Sequence, residues 1–357
     1  MSPSFWPGRR VLITGHTGFK GGWLSTWLAS AGARITGFAL EAVGPDNMFA
    51  AARVGTVVDH VAGDVRDLDA LSAVIRSVQP QVVFHLAAQS LVRRSYVDPL
   101  ETYSTNVIGT ANLLEAVRRV GGVAAVVVVT SDKCYENREW IWGYRETDAL
   151  GGYDPYSSSK AGAEIVTAAY RSSYFNPAEY SDHGVAVASA RAGNVIGGGD
   201  WSEARLIPDA IAAFRAGVPV TIRSPGATRP WQHVLEPLNG YIQLAERLVS
   251  FGTEWAEAWN FGPDPSDTQP VQQVIEALAK RWGDNASWRL DEGPHPHEAN
   301  LLRLDCTKAR EKLGWKPRWS IATALSETVD WYREHASGQD MQAFTRGQIE
   351  KYLSGEF

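Results

Sequence analysis

Two groups of residues in this chain carry the means for proton transfer. The first is Thr130, Ser131, Asp132 and Lys133, which follow four consecutive valines, Val126 to Val129. So short a β-branched run reads as a strand buried on both faces. Ligands bind at the carboxyl ends of the strands in an open parallel sheet. Two hydroxyls, a carboxylate and an amine therefore arrive where a substrate would lie. The second group is Tyr156 with Lys160. Asp154 is placed to cap a helix and Pro155 to open it. Tyr156 then falls in the first turn, with Lys160 one turn later on the same face. A phenol ordinarily titrates at about 10. A neighbouring ammonium and the positive helix end both favour its anion, which makes Tyr156 a candidate general base. Taken alone, the same spacing also suits an ordinary surface pair.

These groups need elements to hold them and a cofactor to serve. Arg9 to Thr14 reads as a strand that runs into Gly15, Gly18 and Gly21 and then into an amphipathic helix carrying Trp23, Leu24, Trp27 and Leu28. Strand, glycine turn and helix form the setting of a dinucleotide fingerprint, here spaced GxxGxxG. Gly15 allows the tight turn, Gly18 lets the backbone approach a pyrophosphate, and Gly21 lets helix and strand pack closely. Thr17, Phe19 and Lys20 belong to the same cofactor-contacting turn. A second strand, Arg34 to Leu40, ends without the acid that grips a ribose; Glu41 comes just after. No arginine stands there to meet a 2′-phosphate, so NAD is expected over NADP.

A third strand is expected over Val57 to Val61, followed by Asp64 and Val65 on the cofactor side. Asp64 suits an adenine amino group or a helix cap, a task Asp67 fills better. A fourth strand runs from Gln81 to Ala88. Ala87 and Ala88 are small enough for a cofactor to lie across its end, and Gln89 and Ser90 fall where substrate would sit. Tyr103 to Val120 is a long helix containing Asn106, which either anchors the strand ends or meets the cofactor. Alternating strands and helices predict an α/β fold, a doubly wound parallel sheet of the Rossmann type. Residues 1–194 form the cofactor domain. Residues 195–357 form mainly a smaller mixed substrate lobe, with later stretches free to return to the main sheet.

A chain of 357 residues, 44% hydrophobic and 21% charged, is long enough for such a two-part architecture. A net charge of −6 leaves no basic footprint for nucleic acid. Cys134 and Cys306 make neither a disulfide framework nor a zinc site. Neither an apolar leader nor a membrane-length apolar run is present, so a cytoplasmic protein is expected. Pro294-His-Pro-His-Glu298 offers two histidines without further ligands, and no metal site is expected from it.

The glycine turn together with Tyr156-x-x-x-Lys160 resembles the extended short-chain dehydrogenase/reductase superfamily, in its sugar-nucleotide branch. His85 to Ala88, Thr130 to Lys133 and Arg229 to Val234 resemble signatures of that branch, and the likeness covers nearly the whole chain. The strings Gly15 to Leu24, Ser131 to Asn137 and Arg191 to Trp201 are most similar to the branch's dehydratases that act on CDP-glucose. These long strings are specific, whereas the glycine turn and the tyrosine–lysine pair occur in oxidoreductases of many kinds. The resemblance implies dehydration of the sugar by internal hydride transfer from C4 to C6 through bound NAD. In that scheme Tyr156 removes the C4 hydroxyl proton, Ser131 bonds the C4 oxygen and Lys160 holds the nicotinamide ribose. Lys133 is the C5 base and Asp132 the C6 acid, unless Lys133 only pairs with Asp132 or a phosphate. Arg229 matches the position where relatives grip the diphosphate, with Asn194, Arg205 and His233 as further substrate contacts. Trp231, beside them in a loop, either packs in the core or meets cytosine, and His297 approaches the diphosphate. A homodimer or larger homo-oligomer follows by analogy, through the helices carrying Asn106 and Tyr156. The alternatives are a dehydratase or 4-epimerase of another nucleotide sugar, or an NAD-sensing protein without turnover.

Overall fold

The computed structural model describes all residues except 1, 3, 284, 292, 294–300 and 356–357. The Pro294 to Glu298 motif, with His297, therefore lies outside the described residues. Six strands come first: β1 (Arg10–Thr14), β2 (Arg34–Ala39), β3 (Asp59–Ala62), β4 (Val82–His85), β5 (Ala125–Val129) and β6 (Ala186–Ala192). Six more follow: β7 (Asn194–Ile196), β8 (Val220–Ile222), β9 (Thr228–His233), β10 (Ala258–Phe261), β11 (Thr268–Pro270) and β12 (Trp288–Leu290). Seven of them form one sheet in the order β10-β6-β5-β4-β1-β2-β3, and every pairing in it is parallel.

The valine run shows why this sheet forms. Side chains alternate across a strand, and here both faces are covered. Val127 and Val129 enter a core that also holds Val11, Ile13, Val82 and Phe84. Val126 and Val128 enter the opposite core with Leu12, Val83 and Leu114. Strand order reverses between β1 and β4, which opens a crevice at their carboxyl ends. Thr130 lies just past the end of β5, at that crevice.

Several elements differ from expectation. β3 is displaced to Asp59–Ala62 and is largely exposed, because it is the edge strand and has little to bury. Arg229, Trp231 and His233 lie on β9, a strand of a small sheet ordered β11-β9-β7, and not in a loop. A second small sheet pairs β8 with β12. After residue 194 the chain returns to the main sheet: helix Leu235–Phe251 packs on β5 and β6, and β10 extends the sheet beside β6. Helices Ile321–Ala336 and Met341–Ser354 follow the last strand. The buried stripe of that last helix mixes Thr345 and Gln348 with Met341, Ile349 and Tyr352, so its apolar periodicity is weak in the sequence.

Candidate active site

The turn after β5 is held by its own polar side chains. Ser131 caps the single helical turn Asp132–Cys134, accepting from Lys133 N at 3.2 Å. Its hydroxyl donates to Asp132 Oδ1 at 3.0 Å. Asp132 is 4% exposed, and burial raises its carboxyl above the usual range, against the pull of the Lys133 charge and the Ser131 hydrogen bond. Gly193 makes the room: a Cβ there would stand 2.9 Å from Asp132 Oδ2. Lys133 is half-buried beside it.

Across the crevice, helix Pro155–Ser173 opens on Asp154, whose carboxylate accepts from Ser157 N at 2.9 Å and from the Ser157 hydroxyl at 2.6 Å. Tyr156 and Lys160 are both buried, which excludes the ordinary surface pair. Lys160 Nζ donates to Val129 O at 3.4 Å. Burial pushes the Lys160 ammonium down to about 8, opposed by Glu164 one turn along. Burial also pushes the Tyr156 phenol up to about 12, although hydrogen bonding to Ser131 and the Arg205 charge pull it down. The expected depression of the phenol is thus outweighed by desolvation.

The glycine turn has the shape a dinucleotide needs. Gly15 has φ +76°, and a Cβ there would lie 2.7 Å from Ala87 N. A Cβ on Gly21 would meet Gly15 O at 2.2 Å. Gly18 is exposed and caps helix Phe19–Ser30 without a side-chain hydrogen bond, so that helix's first amides stay available to an anion. Thr17 Oγ1 donates to Leu40 O at 3.1 Å. Phe19 lies beside Gly197. Lys20 is pushed down to about 8 by burial, with the Arg205 and Lys160 charges adding to the effect. Ala87 and Ala88 are half-buried on the rim. These features fit a dinucleotide lying across β1 and β4.

Other expected contacts are engaged by the protein itself. Asn106 is buried, and its amide accepts from Gln89 N at 2.8 Å and donates to Gln89 O at 2.9 Å and Ser159 Oγ at 2.8 Å. It therefore anchors the loop after β4 to the Tyr156 helix. The Gln89 amide donates to Leu91 O and Thr102 Oγ1 and accepts from Leu91 N, so its side chain shapes the rim. Asp64 is half-buried and paired with Arg66, whose guanidinium holds its carboxyl below the ordinary range, and Val65 is buried against Gly109. Past β2, Glu41 lies 3.3 Å from His60, which in turn lies 2.8 Å from His16.

On the substrate side, Arg205 pairs with Asp200 at 3.1 Å and donates to Ser90 Oγ at 3.1 Å. It thus links the loop after β4 to the loop after β7. Asn194 and Arg229 are half-buried on β7 and β9, and Arg229 Nη1 donates to Thr228 O at 3.1 Å. His233 corrects an expectation: it is fully buried between Trp23 and Trp319, with Nδ1 accepting from Leu235 N. Trp231 is also buried in the core, which favours packing. Among the described residues no group of three or more His, Cys, Asp or Glu side chains is arranged for a metal. Likewise, no helix among them is long and apolar enough to cross a membrane.

A polar network outside the crevice escaped sequence reasoning. Glu164, Ser189, Arg191 and Tyr135 form a buried polar network behind the turn that follows β5. The available signals were an acid one turn after Lys160 and a lone arginine in a strand of small residues, Ala186 to Ala192.

The chain matches the family described as GDP-mannose 4,6 dehydratase over residues 12–328. The chain belongs to the GDP-mannose 4,6-dehydratase family. Within reach of this family member is the CDP-glucose 4,6-dehydratase of Salmonella typhimurium, 52% identical over 98% of this chain and 98% of that protein. A dTDP-glucose 4,6-dehydratase of Streptomyces griseus is 32% identical over 92% of this chain and 95% of that one. Among solved structures, DesIV, a dTDP-glucose 4,6-dehydratase of Streptomyces venezuelae with NAD bound, has a TM-score of 0.77 at 27% identity. That likeness covers 93% of this chain and 99% of DesIV.

Proposed function

We propose that this chain is an NAD-dependent nucleotide-sugar 4,6-dehydratase that turns CDP-glucose into CDP-4-keto-6-deoxyglucose. The observation that carries the reading is the meeting of Ser131 and the buried acid Asp132 with buried Tyr156 and Lys160 at the sheet's crevice. The 52% identity along the full length to the Salmonella enzyme supports the choice of nucleotide. Gly15, Gly18, Lys20 and Lys160 would hold NAD, in keeping with the NAD bound by DesIV. The chemistry NAD supplies when bound is reversible two-electron storage, so the sugar is oxidised at C4 and reduced at C6 with no net consumption.

The chain's own residues move the protons. Tyr156 takes the proton from the C4 hydroxyl while Ser131 donates a hydrogen bond to the C4 oxygen. A 4-ketone then acidifies the C5 proton, which Lys133 removes in its neutral form. Asp132 donates to the C6 hydroxyl and water leaves; burial, which raises its carboxyl above the usual range, favours the acid form this step needs. Arg229 and Arg205 supply the cationic donors a diphosphate calls for.

The test is to incubate the protein with NAD⁺ and CDP-glucose and to look for a product lighter by one water. Dehydration of dTDP-glucose or GDP-mannose but not CDP-glucose would refute the nucleotide. An isomer of unchanged mass would indicate an epimerase, and NAD binding without turnover a sensor.

Two coarser features complete the reading. Leu100, Tyr103, Ile108 and Ile165 are exposed apolar side chains on neighbouring helices of the Asn106 and Tyr156 region, and they support a homodimer through that face. Light scattering at micromolar concentration would return a monomer mass if this is wrong. The buried free thiols Cys134 and Cys306 agree with a reducing cytoplasm, which cell fractionation would check.

A further inference from the structure

Behind the catalytic turn lies an ion pair that the reaction above does not use. Glu164 and Arg191 are both about as buried as core residues, at 3% exposure each, and their charged ends stand 2.8 Å apart. Glu164 Oε1 accepts from Thr130 Oγ1 at 2.5 Å. Its Oε2 accepts from Ser189 Oγ at 2.7 Å and from Arg191 Nη2 at 2.8 Å. Arg191 Nη1 donates to Tyr135 Oη at 2.7 Å and to Glu146 O at 3.1 Å. The Tyr135 hydroxyl donates onward to Asn260 Oδ1 at 2.7 Å, and the Arg191 guanidinium lies over the Tyr135 ring.

A buried pair of this kind is weak as a source of stability, since well-packed apolar residues often do as well. Its geometry suggests another use. Thr130 and Tyr135 are the residues that flank Ser131 to Cys134, so the pair holds the catalytic turn at both ends. Glu164 also stands on the helix of Tyr156 and Lys160, one turn beyond Lys160. Arg191 stands on β6, next to β5 in the sheet.

We propose that Glu164 and Arg191 are positioning residues that set the spacing between the turn's Ser131 and Asp132 and the helix's Tyr156. This inference rests on the assignment of catalysis to that turn. Backbone hydrogen bonds also hold this stretch, Thr130 N to Ala190 O at 2.9 Å and Gly151 N to Cys134 O at 2.9 Å, and the brace adds side-chain ties at both of its ends. Displacements on the order of 1 Å at reacting groups cost roughly 100-fold in rate.

Matched substitutions separate positioning from mere structural support. Thr130→Val removes the hydroxyl that ties one end of the turn to Glu164, and Tyr135→Phe removes the one that ties the other end to Arg191. Ser189→Ala removes a hydroxyl that also donates to Glu164, at Oε2, but comes from β6 and belongs to neither end of the turn. Each is measured for kcat, for KM on the nucleotide sugar turned over, and for melting temperature. Thr130→Val and Tyr135→Phe are expected to lower kcat by about 10- to 100-fold with KM changed by less than about threefold. Ser189→Ala keeps kcat within about twofold at a comparable melting temperature, and Thr130→Ser, which retains the hydroxyl, restores activity. Should Thr130→Val fail to fold, Tyr135→Phe carries the comparison. The inference is overturned if the two flanking variants keep kcat within about twofold, or if Ser189→Ala falls as far as they do. Asp132→Asn is the control for the underlying assignment. Undiminished turnover by that variant removes the catalytic turn and the brace together, whereas loss there with fully active flanking variants removes the brace alone.

Discussion

Asp132 and Lys133 are neighbours in the chain with opposite demands placed on them. Asp132 is asked to stay protonated and Lys133 to give up its proton. Burial serves the first demand, and Gly193 leaves the space that allows a carboxyl to be buried there. Asp132→Asn is expected to lower kcat by about 100- to 10,000-fold, the usual weight of a general acid or base, while leaving NAD binding intact in a fluorescence titration. Lys133→Met is expected to block water loss while the C4 oxidation survives. A single turnover on the nucleotide sugar would then show absorbance of reduced cofactor without release of water. An unchanged elimination rate in Lys133→Met would withdraw the base role. The residue types at this turn were legible in the chain because strand, polar tip and tyrosine–lysine spacing are local patterns. The direction of the Tyr156 shift was not, since it depends on how much water the folded crevice excludes.

Elements carry these residues, and the Tyr156 helix carries most. Its start is specified by Asp154 and Pro155, as their types and spacing predict. Asp154→Ala removes the cap from Ser157 N and the partner of its hydroxyl. A loss of about 1 kcal/mol in unfolding free energy is expected, read from urea denaturation, with Asp154→Asn retaining most of it. The long helix before it contains a π segment, Ser104–Ile108, of the kind that recurs at functional sites. Asn106 lies in it and ties the loop after β4 to Ser159. Sequence left the role of Asn106 open because its partners are 17 and 53 residues away. The strands were legible where both faces are covered, as in β4 and β5. They were misplaced where one edge is free, as at β3, since an exposed strand carries no continuous apolar run. β9 was missed because its polar residues, buried by the small sheet and the core, look like a loop in one dimension.

At the scale of the whole molecule, three buried histidines among the described residues make stability depend on pH. His16 is pushed down to about 4, and His85 and His233 to about 3, chiefly by burial. Each is neutral in the folded protein, while the unfolded chain binds a proton as pH falls through about 6.5. Their contribution is therefore complete above pH 6.5 and is lost as pH falls from there, down to about 4 for His16 and about 3 for His85 and His233. Each bound proton is worth about 1.4 kcal/mol per pH unit in that window. Urea unfolding at pH 7 and pH 5 should show a clear loss at pH 5, and equal stability at the two values would contradict the shifts. Sequence by itself determined the parallel sheet, the glycine turn, the helix caps and the candidates for proton transfer, because periodicity, capping and turn chemistry act over a few residues. Tertiary structure alone decided which polar groups remain available to a ligand. It spent Gln89 and Asn106 on the rim, sank His233 into the core, and placed Glu164 and Arg191 behind the catalytic turn. The physical reason is that burial and hydrogen-bond partnership are set by residues distant in the chain, and a carboxyl, phenol or imidazole takes its chemistry from them.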